Sequence, residues 1–146
     1  MFKPILLVED NPNDIELTMI ALAKANLANP VISLRDGAEA LDYLRCEGPW
    51  KDRAPEMPAV IILDKKLPKV DGHEVLTAIR QDPVLHLTPI VMLTSSREEI
   101  DLLKSYELGV NAYVVKPVEF QDFISAIGDL GVFWGVVNEP SPRPVK

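Results

Sequence analysis

Four short runs of this chain are apolar at every position, and each stops at polar residues with chemical potential. They are Ile5-Leu6-Leu7-Val8, Val60-Ile61-Ile62-Leu63, Ile90-Val91-Met92-Leu93 and Tyr113-Val114-Val115. Their β-branched content and turn-like flanks favour strands. Continuous rather than alternating apolarity means burial on both faces, the mark of a parallel sheet covered by helices. A fifth run, Val31-Ile32-Ser33-Leu34, carries a polar residue and belongs at a sheet edge.

The segments between these runs have helical spacing. Asn13 or Asp14 caps a helix running to about Leu27, with Ile15, Met19 and Leu22 on one face. Gly37 to Arg45 brings Ala38, Leu41 and Leu44 together, and Gly72 opens a third helix carrying Val75, Leu76 and Ile79. Ser96 to Leu108 forms a fourth, stopped by Gly109. A fifth, from Glu119, spaces Phe120, Phe123, Ile124, Ile127, Leu130 and Trp134 helically. Met19 and Met92 are read as core, and Cys46 as a small packing residue on the second helix.

Strand and helix therefore alternate five times. This predicts an α/β fold, a doubly wound (βα)5 unit with a parallel sheet and helices on both faces, in the flavodoxin-like order 2-1-3-4-5. A length of 146 residues suits one domain, and an apolar content of 47% supplies its core. We expect that domain to span residues 1–137. Residues 46–58 form a loop with proline and tryptophan, and residues 138–146, with three prolines, form a disordered tail.

Charge narrows the function. The net charge is −7, and no Lys/Arg cluster offers the basic face that nucleic acid requires. No apolar run approaches the ~20 residues needed to cross a bilayer. Met1-Phe2-Lys3-Pro4 leads straight into the first strand without the pattern of a secretory signal. The single cysteine allows no internal disulfide, which fits a reducing cytoplasm. His73 and His86 lack partners at metal-ligand spacing and are read as structural or surface residues.

In open α/β sheets, chemistry sits beyond the carboxyl ends of the strands. The first strand ends in Glu9-Asp10, the third in Asp64, the fourth in Thr94-Ser95 and the fifth in Lys116-Pro117. Neighbouring strands lie ~4.8 Å apart, so these ends converge. Three carboxylates in one patch repel one another, and a divalent cation removes the conflict. Oxygen ligands without Cys or paired His point to a hard ion, Mg²⁺ in particular. Lys116 supplies a fixed positive charge, and the Thr94 hydroxyl a hydrogen bond to a phosphoryl oxygen. Asp64 as nucleophile completes a set suited to phosphoryl transfer, in which positioning and charge neutralisation do most of the catalysis.

With these residues in this order, the chain resembles the receiver domains of bacterial two-component response regulators over about residues 4–137. The motifs are Val8-Glu9-Asp10-Asn11, Ile62-Leu63-Asp64-Lys65-Lys66-Leu67-Pro68 with Asp71-Gly72, Leu93-Thr94-Ser95, and Tyr113-Val114-Val115-Lys116-Pro117. The resemblance implies that Asp64 is the phosphoacceptor, Asp10 a direct Mg²⁺ ligand and Glu9 a ligand mostly through water. The Lys66 backbone carbonyl would complete the protein ligands. Thr94 and Tyr113 would form a switch pair, and Lys116-Pro117 a cis peptide. The long loop before the third strand, Leu67-Pro68-Lys69-Val70-Asp71-Gly72 and a late Phe133-Trp134 resemble single-domain regulators paired with bacterial phytochromes. The resemblance further implies a sensor histidine kinase, such as a bacteriophytochrome, as phosphodonor, output through protein contact or relay, and a cytoplasmic location. It also implies a homodimer. Val132, Phe133, Trp134, Val136 and Val137 are apolar nearly all round, so we expect Phe133, Trp134 and Val137 in that interface.

One position departs from the family. Lys66 stands two residues after Asp64, where many receivers carry a neutral or acidic side chain. Its ammonium pairs with Glu9, competes with the metal, steadies the phosphoryl group or points into water. Three other functions share part of this pattern. A phosphatase with an aspartyl-phosphate intermediate needs an acid at position 66. A flavin-binding electron carrier needs a glycine- and hydroxyl-rich phosphate loop where this chain has Glu9-Asp10-Asn11-Pro12-Asn13-Asp14. A phosphorylation-independent adaptor with the same fold is compatible with Lys66.

Overall fold

The computed structural model describes residues 3–25, 27, 29–54, 57–105 and 109–130. Five strands, β1 (Ile5–Val8), β2 (Val31–Leu34), β3 (Val60–Asp64), β4 (Ile90–Thr94) and β5 (Ala112–Val115), form one sheet in the order β2-β1-β3-β4-β5. Every pairing is parallel. The helices are α1 (Pro12–Lys24), α2 (Gly37–Arg45), α3 (Gly72–Gln81), α4 (Arg97–Ser105) and α5 (Phe120–Leu130). This is the expected fold. Among the described residues no helix is long and apolar enough to cross a membrane. The tail 138–146 and the expected interface residues Phe133, Trp134 and Val137 lie outside the described residues.

Side chains alternate across the sheet, as strand geometry requires. Ile5, Leu7, Val60, Ile62, Val91, Leu93, Ala112 and Val114 pack against Ala21 and Leu22 of α1 and Phe123 and Ala126 of α5. Leu6, Val8, Ile61, Leu63, Ile90 and Met92 pack on the other side against α2 and α3, through residues such as Tyr43, Val75, Leu76 and Ile79. Each fully buried Leu or Ile contributes about 1.5–3 kcal/mol of hydrophobic stabilisation before the entropy cost of ordering the chain.

Local chemistry sets where the helices begin. Asp36 accepts from the Glu39 N–H at 2.7 Å to cap α2, and Asp71 and Glu74 form a reciprocal capping box on α3. Asn11, rather than Asn13 or Asp14, caps α1, accepting from both of their N–H groups at 2.9 and 3.1 Å. The helix stops at Lys24 instead of Leu27, with Ala25 as its C-cap. Its inner face carries Thr18, Ala21 and Leu22, and Met19 is 39% exposed, so Met19 is not a core residue. Met19 falls one position around the helix from Thr18, at the margin of this buried face. Cys46 closes α2 in the left-handed conformation, with φ of 57°, rather than packing along the helix.

The loop after α2 is pinned. Trp50 meets the Tyr43 ring edge-on at 5.6 Å, Arg53 stacks over that ring at 4.1 Å, and its guanidinium donates twice to the Tyr43 carbonyl. At the amino ends of β4 and β5 a second arginine acts as a clamp. Arg80 donates from Nε and Nη2 to the Gly109 carbonyl, from Nη1 to the carbonyls of His86 and Thr88, and from Nη2 to Asn111 Oδ1. These contacts use all five N–H groups of the guanidinium.

Candidate functional site

The two-residue period that builds the core also aims the site. Ile5 and Leu7, Val60 and Ile62, and Ala112 and Val114 face α1 and α5. Counting on by twos reaches Glu9, Asp64 and Lys116. The ladder continues through these positions, because the Glu9 N–H donates to Leu34 and the Lys116 N–H to Thr94. Three polar side chains from three strand ends therefore turn to the α1 side of the sheet. The adjoining loop is held tightly: a Cβ on Gly72 would stand 2.2 Å from the Asp64 carbonyl oxygen, and the Gly72 N–H donates to Lys65.

Lys116 is the hub. Its Nζ lies 3.1 Å from Asp64 Oδ2, 3.1 Å from Asp14 Oδ2 and 3.5 Å from Glu9 Oε1. Burial works to lower the lysine's pKa, but the Asp14, Asp64 and Glu9 carboxylates outweigh it and hold the ammonium above its usual range. The Lys116–Pro117 peptide is cis.

The acids are arranged as a cation would need them. Glu9, Asp10 and Asp64 each present a carboxylate oxygen, and these atoms lie within 4.8 Å of one another. Glu9 and Asp64 are buried and Asp10 is exposed. Glu9 Oε2 accepts from the Asn11 N–H, whereas buried Oε1 has no hydrogen-bond partner. Burial, and then the neighbouring Asp64, push the Glu9 carboxyl up from 4.5 to about 7. The cation nearest that oxygen is Lys116 at 3.5 Å, and it is shared with Asp14 and Asp64, so the clustered acids carry more negative charge than one ammonium balances. The hard, oxygen-only donor set fits a divalent cation of the Mg²⁺ or Mn²⁺ type.

The other expected site residues are near but differently engaged. Thr94 is the last residue of β4 and is buried, and its hydroxyl donates to the Ser96 carbonyl at 3.3 Å. Tyr113 is half-buried against the core on the α2 and α3 side, and burial raises its pKa. The Lys66 backbone N–H donates to Asp64 Oδ1 at 3.4 Å. Its side chain is exposed, and Glu9 is paired with Lys116 instead of Lys66. The neighbouring Lys65 reaches Glu99 of α4 at 3.6 Å, and Glu99 also accepts from the Ser95 N–H.

Asp14 is the residue that sequence reasoning missed. A carboxylate in the first turn of a helix is ordinarily a cap or a partner of the helix dipole. Asn11 takes the cap, so Asp14 turns to Lys116, a residue 102 positions away. Its place in the first turn of the helix that directly follows Glu9-Asp10 is the available clue.

Comparison with known proteins agrees with this geometry. The model of the response regulator receiver domain family matches residues 5–128. The bacteriophytochrome response regulator RtBRR is 62% identical, with a TM-score of 0.91 over 97% of this chain and 86% of that one. The bacteriophytochrome response regulator AtBRR is 61% identical, with a TM-score of 0.89 over 95% of this chain and 99% of its own. The response regulator Rcp1 of Synechocystis sp. (strain PCC 6803) is 40% identical over 132 residues, 90% of this chain and 88% of Rcp1. Its Mn²⁺-bound structure superposes with a TM-score of 0.73 at 38% identity, covering 98% of this chain and 99% of that one. A parallel sheet with acids and one lysine gathered at its carboxyl edge, matched along nearly its whole length by such proteins, places this chain in the response regulator receiver domain family, as a signalling protein homologous to the phytochrome response regulators.

Proposed function

We propose that the chain accepts a phosphoryl group on Asp64 from the phosphohistidine of a sensor histidine kinase and signals by changing its protein contacts. The observation that carries this reading is the placement of Asp64 between a lysine ammonium at 3.1 Å and two further carboxylates whose oxygens lie within 4.8 Å. An Asp64 carboxylate oxygen attacks phosphorus. The new O–P bond forms as the P–N bond to the kinase histidine breaks, and the electron pair leaves with the imidazole nitrogen. Glu9, Asp10 and Asp64, with the Lys66 carbonyl that the family resemblance adds, would hold a divalent cation such as Mg²⁺, which would neutralise the phosphoryl oxygens; the Mn²⁺-bound form of Rcp1 supports this assignment. Lys116 moves its pairing from the carboxylate to a phosphoryl oxygen. Thr94 leaves the Ser96 carbonyl to donate to another, and Tyr113 repacks behind it as the second half of the switch.

The likeness to the bacteriophytochrome response regulators RtBRR and AtBRR supports a phytochrome-type kinase as the donor, and the apolar run of Val132, Phe133, Trp134, Val136 and Val137 in the sequence supports a homodimer contact through Phe133, Trp134 and Val137. The self-phosphorylation chemistry is that of a phosphoacceptor, with no other substrate turned over. The test is mass measurement after incubation with acetyl phosphate and Mg²⁺. Gain of one phosphoryl group, lost in Asp64→Asn and on adding EDTA, is expected. No gain under any condition would leave a phosphorylation-independent adaptor, and steady release of phosphate from many esters would indicate a phosphatase.

A further inference from the structure

Lys116 faces a choice of partners that the family motifs do not describe. Its ammonium touches two of the three acids assigned to the metal, Glu9 and Asp64, so it competes with a cation for the same oxygens. The third contact, Asp14, lies on the other side of this balance. Asp14 is not among the three clustered metal-ligating acids, it comes from α1 rather than from a strand end, and it is the most exposed of the lysine's acidic partners, at 24% against 4% for Asp64 and 0% for Glu9. The Asn11 N–H, to which an acid at this position of a helix would reach back, donates to Glu9 Oε2 instead, so no capping bond competes for the Asp14 carboxylate.

We propose that Asp14 is a positioning residue that draws the Lys116 ammonium toward the mouth of the site, where a phosphoryl oxygen arrives, so that its charge is shared outward instead of settling wholly between Asp64 and Glu9. The proposal rests on Asp64 as the phosphoacceptor. An ammonium has three N–H groups and no acceptor, so it settles wherever carboxylates surround it. With Asp14 present, one N–H is directed outward at 3.1 Å. With Asp14 neutralised, the charge falls back between Asp64 and Glu9, where it blocks the ion. After transfer, the acceptor oxygens stand farther out than those of Asp64. A lysine already tied to an outer carboxylate follows them without losing its second partner.

A double-mutant cycle on Mg²⁺ binding tests this, read by titration calorimetry with the metal alone. Asp14→Asn is expected to weaken Mg²⁺ binding by about three- to tenfold in the otherwise native chain. In a Lys116→Met background, where nothing remains to hold back, the same change is expected to have almost no effect, and Asp14→Glu is expected to restore native affinity. Equal weakening in both backgrounds would mean that Asp14 acts by its charge alone and would overturn the proposal. So would unchanged or tighter binding in Asp14→Asn, or no Mg²⁺ binding by the native chain. Asp14→Ala, with circular dichroism as the fold check, repeats the arm if the asparagine variant misfolds. Mass gain of the native chain with acetyl phosphate reports separately on Asp64, so failure of that reading and failure of this one are distinguishable.

Discussion

The carbonyl oxygen of Asp64 occupies the space beside Gly72 so closely that a Cβ on the glycine would stand 2.2 Å away, with the Lys65 Cα and carbonyl oxygen at 2.8 Å. Backbone cannot yield as a flexible side chain does. Gly72→Ala is therefore expected to destabilise the fold by about 2–3 kcal/mol and to slow phosphoryl uptake, because the segment that must shift carries the acceptor. Gly109→Ala is the control. Gly109 has φ of +76°, but its added Cβ meets only the Arg80 side chain, at 3.2 Å and beyond. A loss of about 1 kcal/mol with normal uptake is expected there. Urea unfolding and acetyl phosphate labelling read both; equal losses for the two variants would contradict the argument.

The Glu9 carboxyl sets a pH window for the metal-free protein. Its pKa rises from 4.5 to about 7 on folding, through burial first and then the Asp64 carboxylate. The folded chain thus holds a proton that the unfolded chain releases. This stabilisation is complete below pH 4.5, declines as pH rises and is gone above about 7. Its size is on the order of 3 kcal/mol. Melting temperatures in EDTA should fall across that window, and Glu9→Gln should flatten the fall and raise stability at pH 8. A profile unchanged by Glu9→Gln would show that another group governs it.

Arg80 is expected to matter more for stability than its half-exposed position suggests. Arg80→Met leaves the carbonyls of Gly109, His86 and Thr88 without their donor, for a loss of about 2–3 kcal/mol. Arg80→Lys should recover less than half, since an ammonium cannot reproduce the planar fork. The measurement is the urea midpoint at constant slope. Full recovery by lysine would mean that charge, not geometry, holds the clamp.

Thr94 separates accepting the phosphoryl group from transmitting it. Thr94→Val keeps the shape of the side chain and removes the hydroxyl that now donates to Ser96. The variant should still take up one phosphoryl group on Asp64. The amide shifts of Ser95, Ser96 and Glu99 on adding beryllofluoride, a phosphoryl mimic, should lose most of their amplitude. Thr94→Ser should restore them. Native shifts in the valine variant would sink the switch assignment.

Much of this was legible in the sequence because burial on both faces leaves an unambiguous mark. Ile5–Val8, Val60–Leu63 and Ile90–Leu93 read as central strands, and their polar termini fell on one edge. What failed to show was decided by competition between neighbours. Asp14 looked like a helix cap because nothing local says that Asn11 takes that role. Met19 reads as core by its hydrophobicity, whereas the face that α1 turns inward carries Thr18, Ala21 and Leu22. Lys66 carries the same charge as Lys65, yet only the latter finds a partner on α4, a matter of where each side chain leaves the loop.

Lys116 follows the last strand to join the sheet's far side, while the acids it balances belong to β1, β3 and α1. The centre is thus a keystone arrangement, closed only when the residue after β5 reaches the acids of β1, β3 and α1. A nascent or damaged chain lacking β5 retains acids with no counterion of its own, and has no halfway version of the chemistry. The proposed phosphoryl chemistry would therefore be open only to a chain whose fifth strand has docked.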